Sequence, residues 1–168
     1  MIEIIVGILV VTFIVESVLD ELNQRSSAQT PDPLVADLYD RKGKAKSLAY
    51  GGEKLKLGLI SGFISTSLMI LALTQGWFAS LDEFWRERID STLLISLIFI
   101  GSLSLISSLI SLPFGLYSTF VIEAKYGFNK TTWKTFFADG AKGILLSTLI
   151  GGPILAAVIW LYEEFSGN

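Results

Sequence analysis

The residue types that carry most protein chemistry are thinly supplied here. The chain of 168 residues has no histidine and no cysteine, and its 16 acidic side chains stand against 13 basic ones. Without cysteine there is no disulfide and no thiolate chemistry, and the redox compartment is left open. Without histidine the usual zinc-binding pair of imidazoles is missing, and no set of Asp and Glu at ligand spacing replaces it. No catalytic and no metal-binding residue is therefore expected in this chain. The densest mixture of charged, aromatic and turn-forming types is Glu123, Lys125, Tyr126, Gly127, Phe128, Asn129 and Lys130, directly after a run from Ser91 to Ile122 that carries no charge. A plain connector between two helices needs only polarity and a turn, so this group asks for a positional role.

The elements that would position it are membrane helices. Hydrophobic residues make up 51% of the chain and charged residues 17%, whereas soluble domains carry about 25% charged residues. The small net charge of −3, with no excess of basic residues interleaved with aromatics, gives no support to nucleic-acid binding. The expected fold is all-α and integral to the lipid bilayer: about four transmembrane helices near residues 2–19, 57–81, 91–122 and 143–162, forming one membrane domain over 1–168. The first is the shortest, with Glu3 and Glu16 near its ends, and it lacks the basic start and small-residue cleavage site of a signal peptide. The third is longer than a bilayer core about 30 Å thick at about 1.5 Å per residue, so it must tilt, kink or protrude. Pro113 offers a place for the bend, and the Gly151-Gly152-Pro153 run predicts a local break in the fourth helix.

Lysine and arginine fall unevenly between the helices. Seven lie in the connector at about 22–56, four in the connector at about 123–142, and only Arg86 and Arg88 lie between the second and third helices. The positive-inside tendency puts the two basic connectors in the cytoplasm and both chain ends outside. The setting fits a bacterial inner membrane or an endoplasmic reticulum membrane. Gly58 and Gly62, and Gly143, Ser147 and Gly151, recur every four residues, a spacing that lets helix backbones approach closely. No ionisable group stands in the middle of the last three helices, which argues against an ion pathway.

The first connector is long and patterned. Asp32-Pro33 predicts a short helix with Leu34, Val35, Leu38 and Tyr39 on one side, an amphipathic segment lying on the membrane or the bundle. Gly51-Gly52 predicts a turn before the second span. In the dense group, Gly127 is expected to end the third helix in a left-handed conformation, and Asn129 or Thr131 to cap the next one.

The passage LPFGLYSTFVIEAKYGFNKTTWKTFFADGAKG resembles the N-terminal membrane portion of the CAAX prenyl endopeptidase family of zinc metallopeptidases. The resemblance rests on Leu112-Pro113, Tyr117-Ser118, Phe120 to Glu123, Tyr126 to Thr131, Phe136, Asp139 and Lys142. In the first connector it rests on Leu19-Asp20, Asn23-Gln24-Arg25, Tyr39-Asp40, Lys44, Lys46-Ser47 and Tyr50. It extends over essentially the whole chain.

The resemblance implies an intramembrane protease whose helices surround a chamber, with zinc held by an H-E-x-x-H helix in a later catalytic domain. This chain ends at EEFSGN and lacks that domain, so zinc is expected there and no cofactor here, and the chain alone is expected to be inactive. Its implied partners are the lipid bilayer and a catalytic zinc-protease domain, on the same longer chain or supplied in trans. Tyr117, Glu123, Tyr126, Gly127, Phe128, Asn129 and Lys130 then form a shelf for docking that domain, scaffolding it without direct substrate contact. The alternative is a free-standing, catalytically inactive assembly or regulatory subunit.

Overall fold

A computed structural model describes residues 1–27 and 41–166. The amphipathic segment expected after Asp32-Pro33 lies outside the described residues. Every regular element among those described is helical: α1 (Ile2–Ser27), α2 (Arg41–Thr74), α3 (Trp77–Arg86), α4 (Thr92–Tyr117), α5 (Trp133–Leu146) and α6 (Gly152–Ser166). A π-helical segment, Ser118–Glu123, continues α4, and a second, Ser147–Gly151, joins α5 to α6. Four continuous stretches are long and apolar enough to cross a membrane: Ile2–Ser27, Gly43–Thr74, Thr92–Glu123 and Trp133–Phe165.

These helices run past the apolar stretches that announce them. α2 starts at Arg41, inside the expected connector, because lysine, glutamate and alanine are compatible with helix and nothing stops the backbone where hydrophobicity stops. Gly51 and Gly52 therefore lie within α2, where a turn was expected. The second helix also ends earlier than the apolar pattern suggests: Gly76 has φ 72°, and the chain restarts there as the separate helix α3. α5 begins at Trp133 with Thr132 as its N-cap, the Thr132 side chain accepting from the Thr135 N–H at 3.2 Å. Thr132, not Asn129 or Thr131, thus takes the capping role, since its extended backbone aims the hydroxyl at the third residue of the helix.

The two proline sites behave differently. α4 stays α-helical through Pro113 and widens only at Ser118. In the last span the widened turn, Ser147–Gly151, directly precedes Gly152-Pro153. Pro153 has no N–H and its ring crowds the carbonyl four residues back, at Leu149, so a local change of hydrogen-bond register is the physical response.

The residues cluster in two compact units. One comprises Met1–Gln75 with Ile110–Lys130, the other Gly76–Leu109 with Thr131–Asn168. In the first, α1 and α2 run antiparallel. Midway along α1, Phe13 meets Phe63 with ring centroids 6.3 Å apart; toward its C-terminal end, Gln24 donates from Nε2 to the Leu48 carbonyl at 2.9 Å. Two glycines permit this approach. A Cβ on Gly62 would lie 3.2 Å from the Phe13 ring, and one on Gly51 would lie 2.8 Å from Gln24 Oε1. At Gly58, Gly143 and Gly151 an added Cβ meets nothing within 4 Å among the described residues, and Ser147 is exposed. In the second unit Ile95 is buried, Trp133 stacks on Phe137 at 6.4 Å, and the Trp85 indole N–H is buried with no acceptor.

The two glycines of the repeat in α2 are therefore expected to respond differently to bulk. Gly62→Leu should destabilise the α1–α2 pair by about 1–3 kcal/mol, the usual cost of overpacking, and Phe13→Ala in the same chain should recover part of it. Gly58→Leu should change little. Unfolding in detergent micelles, compared across the four chains, checks the contrast.

Candidate functional site

The group singled out at the end of the third span is held by a matching face of α2. Lys46, Tyr50, Glu53 and Lys54 are spaced one and two turns apart and so project from one side of that helix. Opposite them the chain runs antiparallel from Ser118 to Phe128. Lys54 Nζ donates to Glu123 Oε1 at 2.7 Å and also to Ser118 Oγ. One residue earlier on α2, Glu53 Oε1 accepts from Lys125 Nζ at 2.5 Å and from the Tyr126 hydroxyl at 3.1 Å. Acid and base are thus crossed: both segments run carboxylate then amine in chain order, and because they are antiparallel each carboxylate faces an amine.

The π segment makes the first of these contacts possible. Ser118 and Glu123 are five residues apart, which in an α-helix is about 1.4 turns and leaves the side chains on different faces. A turn closed by i→i+5 hydrogen bonds brings residues five apart back toward one side. Lys54 then reaches both.

Gly127 ends the helix as expected, with φ 70°. The Phe128 N–H donates to the Glu123 carbonyl at 2.8 Å, and the Gly127 N–H to the Ala124 carbonyl at 3.1 Å. These are the two bonds of a Schellman motif, with Gly127 as its left-handed residue. The Asn129 N–H also points at the Glu123 carbonyl, at 3.2 Å. Glu123 is therefore used twice, by its carbonyl to close the helix and by its carboxylate to fasten that end to α2. Ile122, beside it, is 1% exposed.

Aromatic rings fill the rest of the contact. Tyr50 meets Tyr126 edge-on at 5.5 Å and Phe128 at 5.1 Å, while Lys46 Nζ lies 4.8 Å from the Phe128 ring centroid. Such aromatic and cation–π contacts stabilise through both area and the ring quadrupole. The other side of the motif is open. Tyr117, Gly127, Phe128 and Lys130 are exposed, and beyond its chain neighbours a Cβ built on Gly127 meets nothing within 4 Å among the described residues.

Outside the membrane-spanning stretches the electrostatics at this contact are those of a fastening. Glu53, by its hydrogen bond and its charge, holds the Lys125 amine above its usual range. Burial, and then the bond donated to Glu53, push the Tyr126 phenol up. Among the described residues no group of three or more His, Cys, Asp or Glu is arranged to hold a metal. With neither histidine nor cysteine in the whole chain, its residues do not fit a catalytic zinc.

Residues 21–168 match the protein family described as CAAX prenyl protease N-terminal, five membrane helices. The chain belongs to this family. The CAAX prenyl protease 1 homolog of Arabidopsis thaliana is 34% identical over 174 residues, an alignment that takes in 96% of this chain and 40% of the relative. CAAX prenyl protease 1 of Saccharomyces cerevisiae is 29% identical over 176 residues, 96% of this chain and 38% of that protein. The crystal structure of S. mikatae Ste24p matches with a TM-score of 0.88 at 30% identity, covering 99% of this chain and 40% of that one. The chain spans about 40% of the length of these relatives. The family match begins at Glu21, so most of α1 precedes it.

Sequence reasoning reached one half of the clip and missed the other. Glu123, Tyr126, Gly127 and Phe128 stood out as a group, and Lys46 and Tyr50 entered through the family resemblance. Glu53 and Lys54 did not stand out. The available signal was the Lys46, Tyr50, Glu53, Lys54 spacing on one helical face, joined to the same acid-then-base order in Glu123 and Lys125, which is complementary only when the two segments run antiparallel.

The ion pairs should differ in worth. Lys54 and Glu123 have side chains only 32% and 29% exposed, against 71% and 60% for Lys142 and Asp139. Lys54→Gln should therefore cost about 1.5–2 kcal/mol, the lower part of the range for hydrogen bonds to charged groups, and Lys142→Gln under about 0.5 kcal/mol. Because the Lys125 amine is raised, its contribution is complete below its unfolded value of about 10.4 and is lost as pH rises through the folded value. The contribution of the Lys125 amine to thermal stability should not vary with pH around neutrality and should be lost in alkali, and Lys125→Gln should remove that alkaline component.

Proposed function

We propose that this chain acts as the N-terminal membrane domain of a CAAX prenyl protease-like zinc metalloendopeptidase, scaffolding an intramembrane chamber and presenting a docking surface to the catalytic part. Zinc belongs to that catalytic part, carried on the same longer chain or supplied in trans. Family membership over residues 21–168 supports the reading, as do the relatives named CAAX prenyl protease 1, of whose length this chain supplies about 40%.

The observation that carries it is the two-sided nature of the motif. Glu123, Lys125 and Tyr126 are engaged by α2, so the helix end is held in place. Tyr117, Gly127, Phe128 and Lys130 are exposed on it, and with Asn129 they form the proposed docking shelf. The small-residue faces at Gly58 and at Gly143, Ser147 and Gly151 have open space among the described residues, and helix packing against the remainder of the assembly is their proposed use. The basic connectors are cytoplasmic in this reading, in an endoplasmic reticulum or bacterial inner membrane.

Two experiments test it. With a catalytic domain restored by extension of the chain or co-expressed beside it, Gly127→Val should lower docking and proteolysis at matched membrane abundance. A β-branched residue at positive φ costs about 1–2 kcal/mol, and Gly127→Asn, which tolerates that conformation, should retain most activity. Equal docking by Gly127→Val and the parent would remove the shelf. For orientation, single cysteines at Ser47 and Thr132 should label from the cytoplasm and one at Glu87 from the opposite face; labelling of Thr132 and Glu87 from one side contradicts the topology.

A further inference from the structure

α3 has a composition that neither the spans nor the docking shelf uses. Its ten residues, WFASLDEFWR, rise about 15 Å, half of what a bilayer core requires. It nonetheless begins within three residues of the end of one span and ends six residues before the start of the next. With about 3.8 Å per residue of connecting chain, α3 is tethered close to a membrane surface at both ends.

Around its axis α3 has three sectors. Phe78, Leu81 and Trp85 are half-buried. Ala79, Glu83 and Arg86 are exposed, with Arg86 Nε bonded to Asp82 Oδ2 at 2.6 Å. Between these sectors lies an edge of two large rings two turns apart, Trp77 at 51% and Phe84 at 44% exposed. The Arg88 guanidinium sits 3.7 Å from the Phe84 ring centroid and donates from Nη1 to the Phe84 carbonyl at 2.6 Å. The amphipathic indole of Trp77 suits the headgroup zone, where one end of a group is dry and the other wet, and the apolar ring of Phe84 with the Arg88 guanidinium beside it suits the boundary just below.

We propose that α3 is an interfacial helix whose Trp77–Phe84 edge is seated in the headgroup and upper acyl region of the bilayer, with Arg88 at phosphate level. The occupant of that edge is lipid because only two residues join α3 to one span and five join it to the next, a tether that holds its exposed rings within reach of the bilayer surface. Asp82, Glu83, Glu87 and Asp90 outnumber Arg86 and Arg88 in this stretch, so anchoring rests on the rings and does not require anionic lipid. The proposal stands independently of the docking function.

The test uses the full chain in phosphatidylcholine vesicles. With Trp85→Phe, Trp133→Phe and Trp160→Phe, Trp77 is the sole tryptophan and is excited selectively at the long-wavelength edge of indole absorption, where tyrosine does not absorb; Trp85→Phe keeps an aromatic ring at that half-buried position and loses an indole N–H that has no acceptor among the described residues. Trp77 emission should be quenched more by lipids brominated high on the acyl chain than by those brominated near its end, and should be shielded from aqueous iodide. As a second measurement that keeps the native tryptophans, single cysteines Phe84→Cys and Glu83→Cys in this naturally cysteine-free chain carry a nitroxide. The label at 84 should favour collision with oxygen and the label at 83 with a water-soluble nickel complex. Free quenching of Trp77 by iodide overturns the proposal. So does protection of Trp77 from both iodide and brominated lipid, which would mean that protein, such as a second copy, covers the edge. Equal nickel accessibility at 83 and 84 overturns it as well.

Discussion

The crossed ion pairs between Glu53-Lys54 and Glu123-Lys125 fix the end of the third span. A helix leaving a bilayer has no hydrophobic reason to stop at one residue or to face one way once it reaches polar surroundings. Here its last carboxylate and the amine after it are each claimed by a side chain of α2, and the acceptor that closes the helix is the carbonyl of the same glutamate. Position, rotation and termination of the helix thus converge on Glu123. Reversing one charge would set like against like in a partly dry contact, a larger penalty than on an open surface.

Other features follow from this constraint. The wide turn at Ser118–Glu123 brings Ser118 and Glu123 to one amine, which explains why the register changes there and not at Pro113. Gly127 is needed for its backbone and not for lack of space, since a Cβ added to it would meet nothing within 4 Å among the described residues beyond its chain neighbours. α2 must extend well beyond its apolar part, because Lys46, Tyr50, Glu53 and Lys54 belong to its polar turns. Gln24 and Gly51 tie α1 to those same turns, so the first helix supports the platform on which the third one ends.

What was legible in the sequence divides along physical lines. Long uncharged stretches announced the spans because insertion depends on apolar length, and Gly127 after Lys125-Tyr126 announced a left-handed helix end because few other residues adopt it. The glycine pair at Gly51-Gly52 misled, since a turn and a close helix approach call for the same residue. Helix limits in polar sequence, as at Arg41 and Trp133, were obscured because polar residues continue a helix without a hydrophobic signal. The Glu53 and Lys54 partners were hidden by distance: some 70 residues separate them from their mates, and only the antiparallel return of the chain brings them together.

The most direct test of the account is a charge exchange across the clip. Lys54→Glu and Glu123→Lys should each destabilise the chain in micelles, and the double variant should recover most of the loss, giving a favourable coupling of about 1 kcal/mol or more in a double-mutant cycle. Losses that simply add would mean that Lys54 and Glu123 do not hold the helix end, and the account would fail at its centre.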